Sequence, residues 1–441
     1  MDDKNYYKMD EKKYYKVLDN GMKVLLILLP NSKIITTELY INCGFFYEKK
    51  NYEISHLLEH FQAKLTSTKY PHAKENLNKF SQNGINRYAS TSLDTQYYTL
   101  SGNIEYQNYM LDIFLNSIVD FKIDETINTV ERNAVKLELE ERMDDDNIFY
   151  SKQKNLYFKN TNQKGLTIKT RINNVDKITI EDLLKFRQKY YSTRNMLFCV
   201  TGDINAKETY KYIKNFMKSY LELDYPTPKL KLIKNPIKNN KIISVIHPNI
   251  KETTYIRILF FHNIDFIDRD YPIILALERY LKYILFEKLR TELGYIYDIN
   301  ILNTDYDGGL NYFEISTEFS DKKAFLNICK IIFDEINKLK TQLLSQENVD
   351  RIKNELIHLI LILALDKEPN RFSYYYSKYL LKNTNIIKFK HTYKIFKNLN
   401  AKKIINIAKK IFKMKHLLIS YMSNTNYNNE IKELFPNIEF V

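Results

Sequence analysis

Residues 225–241 read YPTPKLKLIKNPIKNNK, and no other stretch limits the possible fold as strongly. Its three prolines fix φ and remove backbone donors. Lysine and asparagine between them leave no apolar stripe to bury, so the stretch suits a linker better than a core element. A linker at 226–240 divides the 441 residues into domains 1–225 and 241–441, each of ordinary size.

Both portions carry the same order of patterns. In the first, Asp19-Asn20-Gly21 is a turn signal ahead of MKVLLILLP, whose apolar run predicts a buried strand. KIITTELYINCGFFYE alternates well enough to be the next strand, and a helical pattern over HLLEH follows. Polar turns then lead to the strand-like STSLDTQYYTLSGNI. MLDIFLNSIVD and TINTVERNAVKLELEERM place apolar residues three and four apart, the period of a helix. TIEDLLKFRQKYY opens with Thr179 and Asp182 at capping-box spacing, and NMLFCVTGDI is a strand ending at a Gly-Asp turn. The second portion gives strands KIISVIHP and TYIRILFFH, a long helix over 271–289, and strands GYIYDINIL and GLNYFEISTEF. Helices are expected over roughly the last hundred residues. The shared order predicts a duplicated α+β domain, although no strong sequence repeat shows.

Composition narrows the function classes. A hydrophobic fraction of 44% supplies a sizeable core and excludes wholesale disorder. The net charge is +14, but the lysines are scattered and interleaved with Asp and Glu, so they read as a solvated surface rather than a nucleic-acid footprint. Cys43, Cys199 and Cys329 form no CxxC pair, which favours a reducing compartment. MDDKNYYKMDEKK at the N-terminus has no apolar signal core. ELIHLILILAL is too short for a membrane span and reads as a core helix. A soluble, cytoplasmic protein with neither nucleic-acid nor membrane partner is expected.

Histidine is scarce, eight residues in 441, yet His56 and His60 stand four apart with Glu59 between them. On a helix, i and i+4 share a face, so both imidazoles can reach one cation. Glu59, at i+3 from His56, is placed to take a proton from water activated by that cation, the HxxEH order of a metallopeptidase base. Two histidines do not complete a zinc site, and a third protein ligand must come from elsewhere. In VERNAVKLELEERM, Glu131 and Glu138 stand two helical turns apart on one face, and Glu140 and Glu141 are rival carboxylates.

With these residues the sequence resembles the inverzincin metallopeptidases of the pitrilysin/insulinase family, which include the mitochondrial processing peptidase. The family carries HxxEH and, at a similar distance downstream, two glutamates seven apart. LDNGMKVLLILLP, the segment from ITIEDLL to CVTGDI, and LRTELGYIYDI resemble further family motifs, so the likeness runs over nearly the whole chain. The resemblance implies His56, His60 and Glu138 as ligands of Zn2+, Glu59 as base and Glu131 as a supporting carboxylate. It implies Arg290 and Tyr297 as residues that bind substrate backbone and the oxyanion. It also implies an α+β fold of two homologous domains, each a mostly antiparallel sheet flanked by helices, forming half of a clamshell.

Three positions depart from the family pattern. Glu53 stands where a small residue, often glycine, precedes the first histidine by three; FQAKL replaces a Met- and Gly-containing stretch; and Tyr88 replaces an asparagine on the strand that pairs with substrate. None of these changes replaces a ligand or the base. The expected function is therefore a zinc-dependent endopeptidase that cleaves peptides or precursor and leader segments inside a dimeric chamber. The second chain would be a copy of this one or a related subunit. The alternatives are a catalytically silent scaffold subunit, against which the intact ligand set argues, and a basic nucleic-acid-binding protein, against which the scattered charge argues.

Overall fold

The computed structural model describes residues 13–141, 145–159, 161–218, 220, 236–246, 253–306, 309–365, 369–382 and 389–441. The chain forms two compact units. The first comprises 1–142, 167–230 and 362–390, and the second 143–166, 231–361 and 391–441. Most of the expected linker, 226–235, lies outside the described residues.

In chain order the elements are β1 (Lys13–Val17), β2 (Lys23–Leu28), β3 (Ile34–Ile41), α1 (Ile54–Gln62), α2 (Ala73–Gln82), β4 (Asn86–Thr91), β5 (Gln96–Asn103), α3 (Gln107–Val119) and α4 (Asn128–Glu140). Then come α5 (Asp145–Tyr157), α6 (Ile168–Val175), α7 (Ile180–Tyr190), β6 (Met196–Gly202) and α8 (Ala206–Met217). The remainder is β7 (Lys241–Ile246), β8 (Thr254–His262), α9 (Tyr271–Phe286), β9 (Ile299–Asp305), β10 (Asn311–Phe319), α10 (Phe325–Thr341), α11 (Gln346–Leu365), α12 (Pro369–Leu381), α13 (Phe389–Lys397), α14 (Ala401–Ile411), β11 (Leu417–Ser423), α15 (Asn428–Leu434) and β12 (Glu439–Phe440).

The sheet of the first unit runs β1-β2-β6-β3-β5-β4, and that of the second β12-β7-β11-β8-β10-β9. Strip the outer β1 and β12, and the two orders coincide when each strand number rises by five. The duplication is therefore plain in topology where the sequence showed no strong repeat. Within the shared order, only the pairs β2–β6 and β7–β11 are parallel, and the rest are antiparallel.

The burial of β6 throughout and of β2 up to Ile27 follows from cover by helices, since α12 packs on both and α8 packs on β2. That is why VLLILL, residues 24–29, is continuously apolar instead of alternating. The units are not the two linear halves. Helix α12, from the second half, packs on β2, β3 and β6, whereas α5, from the first half, packs on β7 and β11. Both exchanged helices meet a buried ionisable residue. Arg257 of β8 pairs with Glu314 of β10 at 2.6 Å and reaches Gln153 of α5 at 2.5 Å. Glu38 of β3 lies at the equivalent register, and burial pushes its carboxyl up to about 8.

The expected strands and long helices are present, with differences that have local causes. GYIYDINIL is extended only from Ile299, so Tyr297 lies in a loop before β9. STSLDTQYYTLSGNI contains the turn after β4 as well as β5, and the polar stretch before it contains α2. LLISYMS, in the tail expected to be helical, is β11; a short apolar run is ambiguous by period, and pairing with β7 and β8 decides it. Among the described residues no helix is long and apolar enough to cross a membrane.

Candidate metal centre

Helix α1 buries Ile54, Leu57, Leu58 and Phe61, and this apolar stripe fixes its rotation. Its start is held by Glu48, whose Oε1 accepts from the Ser55 amide at 3.1 Å and the Ser55 hydroxyl at 2.5 Å. Its end is clamped by Arg187 of α7. That guanidinium donates to Gln62 Oε1 at 3.1 Å and to the Ser117 and Ile118 carbonyls of α3 at 3.1 and 2.9 Å. Helix α4 is anchored in the same manner. Arg132 donates to the Val175 carbonyl and, at 2.6 Å, to that of Ile178. Arg132 thus sets the depth and rotation of the helix that carries Glu131 and Glu138.

Fixed this way, α1 and α4 place His56, His60, Glu131 and Glu138 together. His56 Nε2 lies 3.2 Å from Glu138 Oε2, and His60 Nε2 lies 3.5 Å from Glu138 Oε1. The rings are 5.0 Å apart at 75°. Each Nδ1 faces a different carboxylate, Glu53 for His56 and Glu131 for His60, both at 3.0 Å. Ligand atoms of His56, Glu59 and His60 lie within 4.8 Å of one another. Glu140 and Glu141, the rival carboxylates, are exposed.

The donor set fits zinc. Two imidazoles present Nε2 with Nδ1 tied to carboxylates, which fixes the tautomer and raises the basicity of the ligand atom. The electrostatics agree. Burial disfavours a charged His56, yet the Glu138 and Glu53 carboxylates at its two nitrogens outweigh that and hold the ring up to about 9. A site that pulls a proton this strongly onto an imidazole is one that attracts a cation. Burial likewise raises the Glu59 carboxyl above its ordinary range, against the pull of both histidines, and Thr91 Oγ1 donates to it at 3.4 Å. Glu131 is pulled the other way. Burial alone would raise it, but hydrogen bonds from His60 and Lys64 hold it below the usual carboxylate range. Lys64 Nζ lies 2.7 Å from Glu131 Oε1.

Arg290 and Tyr297 belong to the second unit, where α9 continues into a π-helical turn over Glu287–Glu292. The Arg290 guanidinium lies 5.5 Å from the centre of the Tyr297 ring, and that tyrosine is 83% exposed. The sequence reading did not assign Glu53, Lys64, Arg171 or Thr91 to the site. Glu53 was noticed only as a departure, and Lys64 carried a readable signal, lying one turn beyond His60 on the same helix face.

Two family models match the chain: "Insulinase (Peptidase family M16)" over residues 23–171 and "Peptidase M16 inactive domain" over 177–356. The zinc protease PqqE of Helicobacter pylori is 28% identical over 241 residues, 52% of this chain and 52% of that protein. Human insulin-degrading enzyme is 29% identical over 203 residues, 44% of this chain and 20% of that protein. The chain thus spans about half or less of these curated relatives. Among solved structures, the fold matches a Helicobacter pylori protease with a TM-score of 0.75 at 18% identity, covering 93% of this chain and 99% of that one. A Pseudomonas fluorescens peptidase M16 inactive domain gives 0.80 at 15% identity, with 94% and 98% covered. The periplasmic protease PqqL of Escherichia coli gives 0.76 at 18% identity, covering 96% of this chain and 49% of that one. From β2 into α11 the residues follow the two models in turn, and the chain belongs to the insulinase family of peptidases, peptidase family M16.

Proposed function

We propose that the protein is a zinc-dependent endopeptidase. The observation that carries this reading is the meeting of His56 Nε2 and His60 Nε2 at the two oxygens of Glu138, with the Glu59 carboxyl beside them. Zinc held by His56, His60 and Glu138 would supply Lewis acidity and ease the ionisation of water. Glu59 takes the water's proton on its carboxylate and passes it to the leaving amine, a shuttle favoured by burial, which raises its carboxyl above the ordinary range. Glu131 and Glu53 keep the imidazoles oriented throughout.

The edge strand β4 pairs only with β5 among the described residues, and an extended peptide fits along its free side by main-chain hydrogen bonds. Tyr88, 54% exposed on that strand, would bear on which peptides are preferred. By the family resemblance, Arg290 and Tyr297 bind the substrate backbone and stabilise the oxyanion. The Escherichia coli relative has a chain about twice the matched length. This supports a second chain, a copy or a related subunit, completing a chamber for peptides or unfolded segments.

The family model over 177–356 is described as an inactive domain, which favours as second reading a silent subunit. Glu59→Gln separates the two. In an active peptidase it keeps zinc and lowers peptide cleavage by at least about 10²-fold. Equal cleavage by wild type and variant, or none by wild-type protein loaded with zinc, refutes the catalytic reading.

A further inference from the structure

We propose that Glu53 is a positioning residue for the metal centre, holding the His56 ring through Nδ1 so that Nε2 faces the ion. The inference rests on the zinc reading above and concerns the residue by which this chain departs from its family.

Glu53 occupies the position just before α1 with φ 74° and ψ 5°, a left-handed backbone. For a residue with a Cβ that conformation costs about 1–2 kcal/mol, which explains why a glycine commonly stands there in the family. The side chain is also fully buried, which penalises its charge. An ordinary helix cap would be a reason for a carboxylate here, but Glu53 makes no side-chain capping hydrogen bond. Its two oxygens are used otherwise. Oε2 lies 3.0 Å from His56 Nδ1, and Oε1 lies 2.5 Å from an Arg171 terminal nitrogen.

The same construction stands at the second histidine. Glu131 puts Oε2 on His60 Nδ1 and Oε1 on Lys64. The centre therefore contains two parallel series, Arg171–Glu53–His56 and Lys64–Glu131–His60. In each, a cation steadies a carboxylate, the carboxylate accepts from Nδ1–H, and Nε2 is left as the ligand atom. A residue that only neutralised Arg171 would have no need to meet the imidazole, and one that only began the helix would be better as glycine.

Such carboxylate partners of ligating histidines typically change metal affinity by 10–100-fold. The test compares wild type, Glu53→Gly and Glu53→Gln in the full chain, measuring zinc affinity by competition with a chromogenic chelator and the visible spectrum of the cobalt-loaded protein. Glu53→Gly should bind zinc about 10–100-fold more weakly and shift the cobalt bands, which a change in stability alone would not do. Glu53→Gln, whose amide oxygen can still accept from Nδ1–H, should recover part of the affinity. If folded Glu53→Gly binds zinc within about twofold of wild type with an unchanged cobalt spectrum, or if Glu53→Gln recovers none of the affinity that Glu53→Gly loses, Glu53 has no positioning role. If wild type itself binds no zinc, the zinc reading fails and this inference with it, an outcome distinct from equal binding by all three.

Discussion

Replacing Arg187 by alanine tests whether the metal helix is held by the clamp at its end. The side chain is 9% exposed, and its guanidinium donates to Gln62 Oε1 and to the Ser117 and Ile118 carbonyls. Removing it takes the donor from all three, although Ser117 O still accepts from Gln62 Nε2 at 3.3 Å. Two acceptors then lose their charged donor, at about 1–3 kcal/mol each. The contacts of the guanidinium with the Phe121 and Tyr191 rings, at 4.5 and 5.2 Å, add about 0.5–1 kcal/mol. The sum is about 4 kcal/mol, which at a typical urea slope lowers the midpoint of the first unit's unfolding by about 2 M. Urea unfolding of metal-free protein reads this directly. Because Gln62 lies two residues beyond His60, zinc affinity should fall as well. A loss below about 1 kcal/mol in Arg187→Ala would refute the clamp.

Two further outcomes follow from the same geometry. In metal-free protein, the folded state holds protons on His56 up to about 9 and on Glu48 up to about 8, against ordinary values of 6.5 and 4.5. Stability contributed by His56 is therefore fully present below 6.5 and lost as pH rises through 9, and Glu48 adds a loss between 4.5 and 8. Glu53 and Glu131, held low, act oppositely but only below the ordinary carboxylate range. Urea midpoints of metal-free protein should fall from about pH 6 to pH 9, and a midpoint that rises contradicts the assignment. Gly44→Ala would drive a Cβ into backbone, the Ser92 carbonyl and Leu93 C at 2.9 Å, so the turn after β4 must shift. A loss of about 1–3 kcal/mol in thermal unfolding is expected, with peptide cleavage reduced because Thr91 loses its place beside Glu59; unchanged stability and cleavage would show that the turn is slack.

Much of the centre was legible because its parts are local. His56 and His60 share a helix face by spacing alone, as do Glu131 and Glu138, and Thr179 with Asp182 announces the start of α7. The meeting of α1 with α4 was not written in either segment. It depends on Arg187 and Arg132, whose acceptors are backbone carbonyls that carry no side-chain signature. The exchange of α5 and α12 between the units was hidden for a related reason: amphipathic helices state that they pack, not on which sheet. Glu53 looked like a lapse from the family pattern because its role depends on a backbone angle and on Arg171, 118 residues away. Tyr88 was seen as a departure, and its place on the edge strand explains why it can vary without touching the ligands.

The central claim is that His56, His60 and Glu138 bind one zinc ion. X-ray absorption on protein purified without chelators measures it most directly, together with metal content. The account predicts about one zinc per chain, with two imidazole nitrogens and carboxylate oxygen at about 2.0–2.2 Å, and loss of the metal in Glu138→Gln. Wild-type protein that takes up no zinc, or a Glu138→Gln variant that keeps full occupancy, would contradict it.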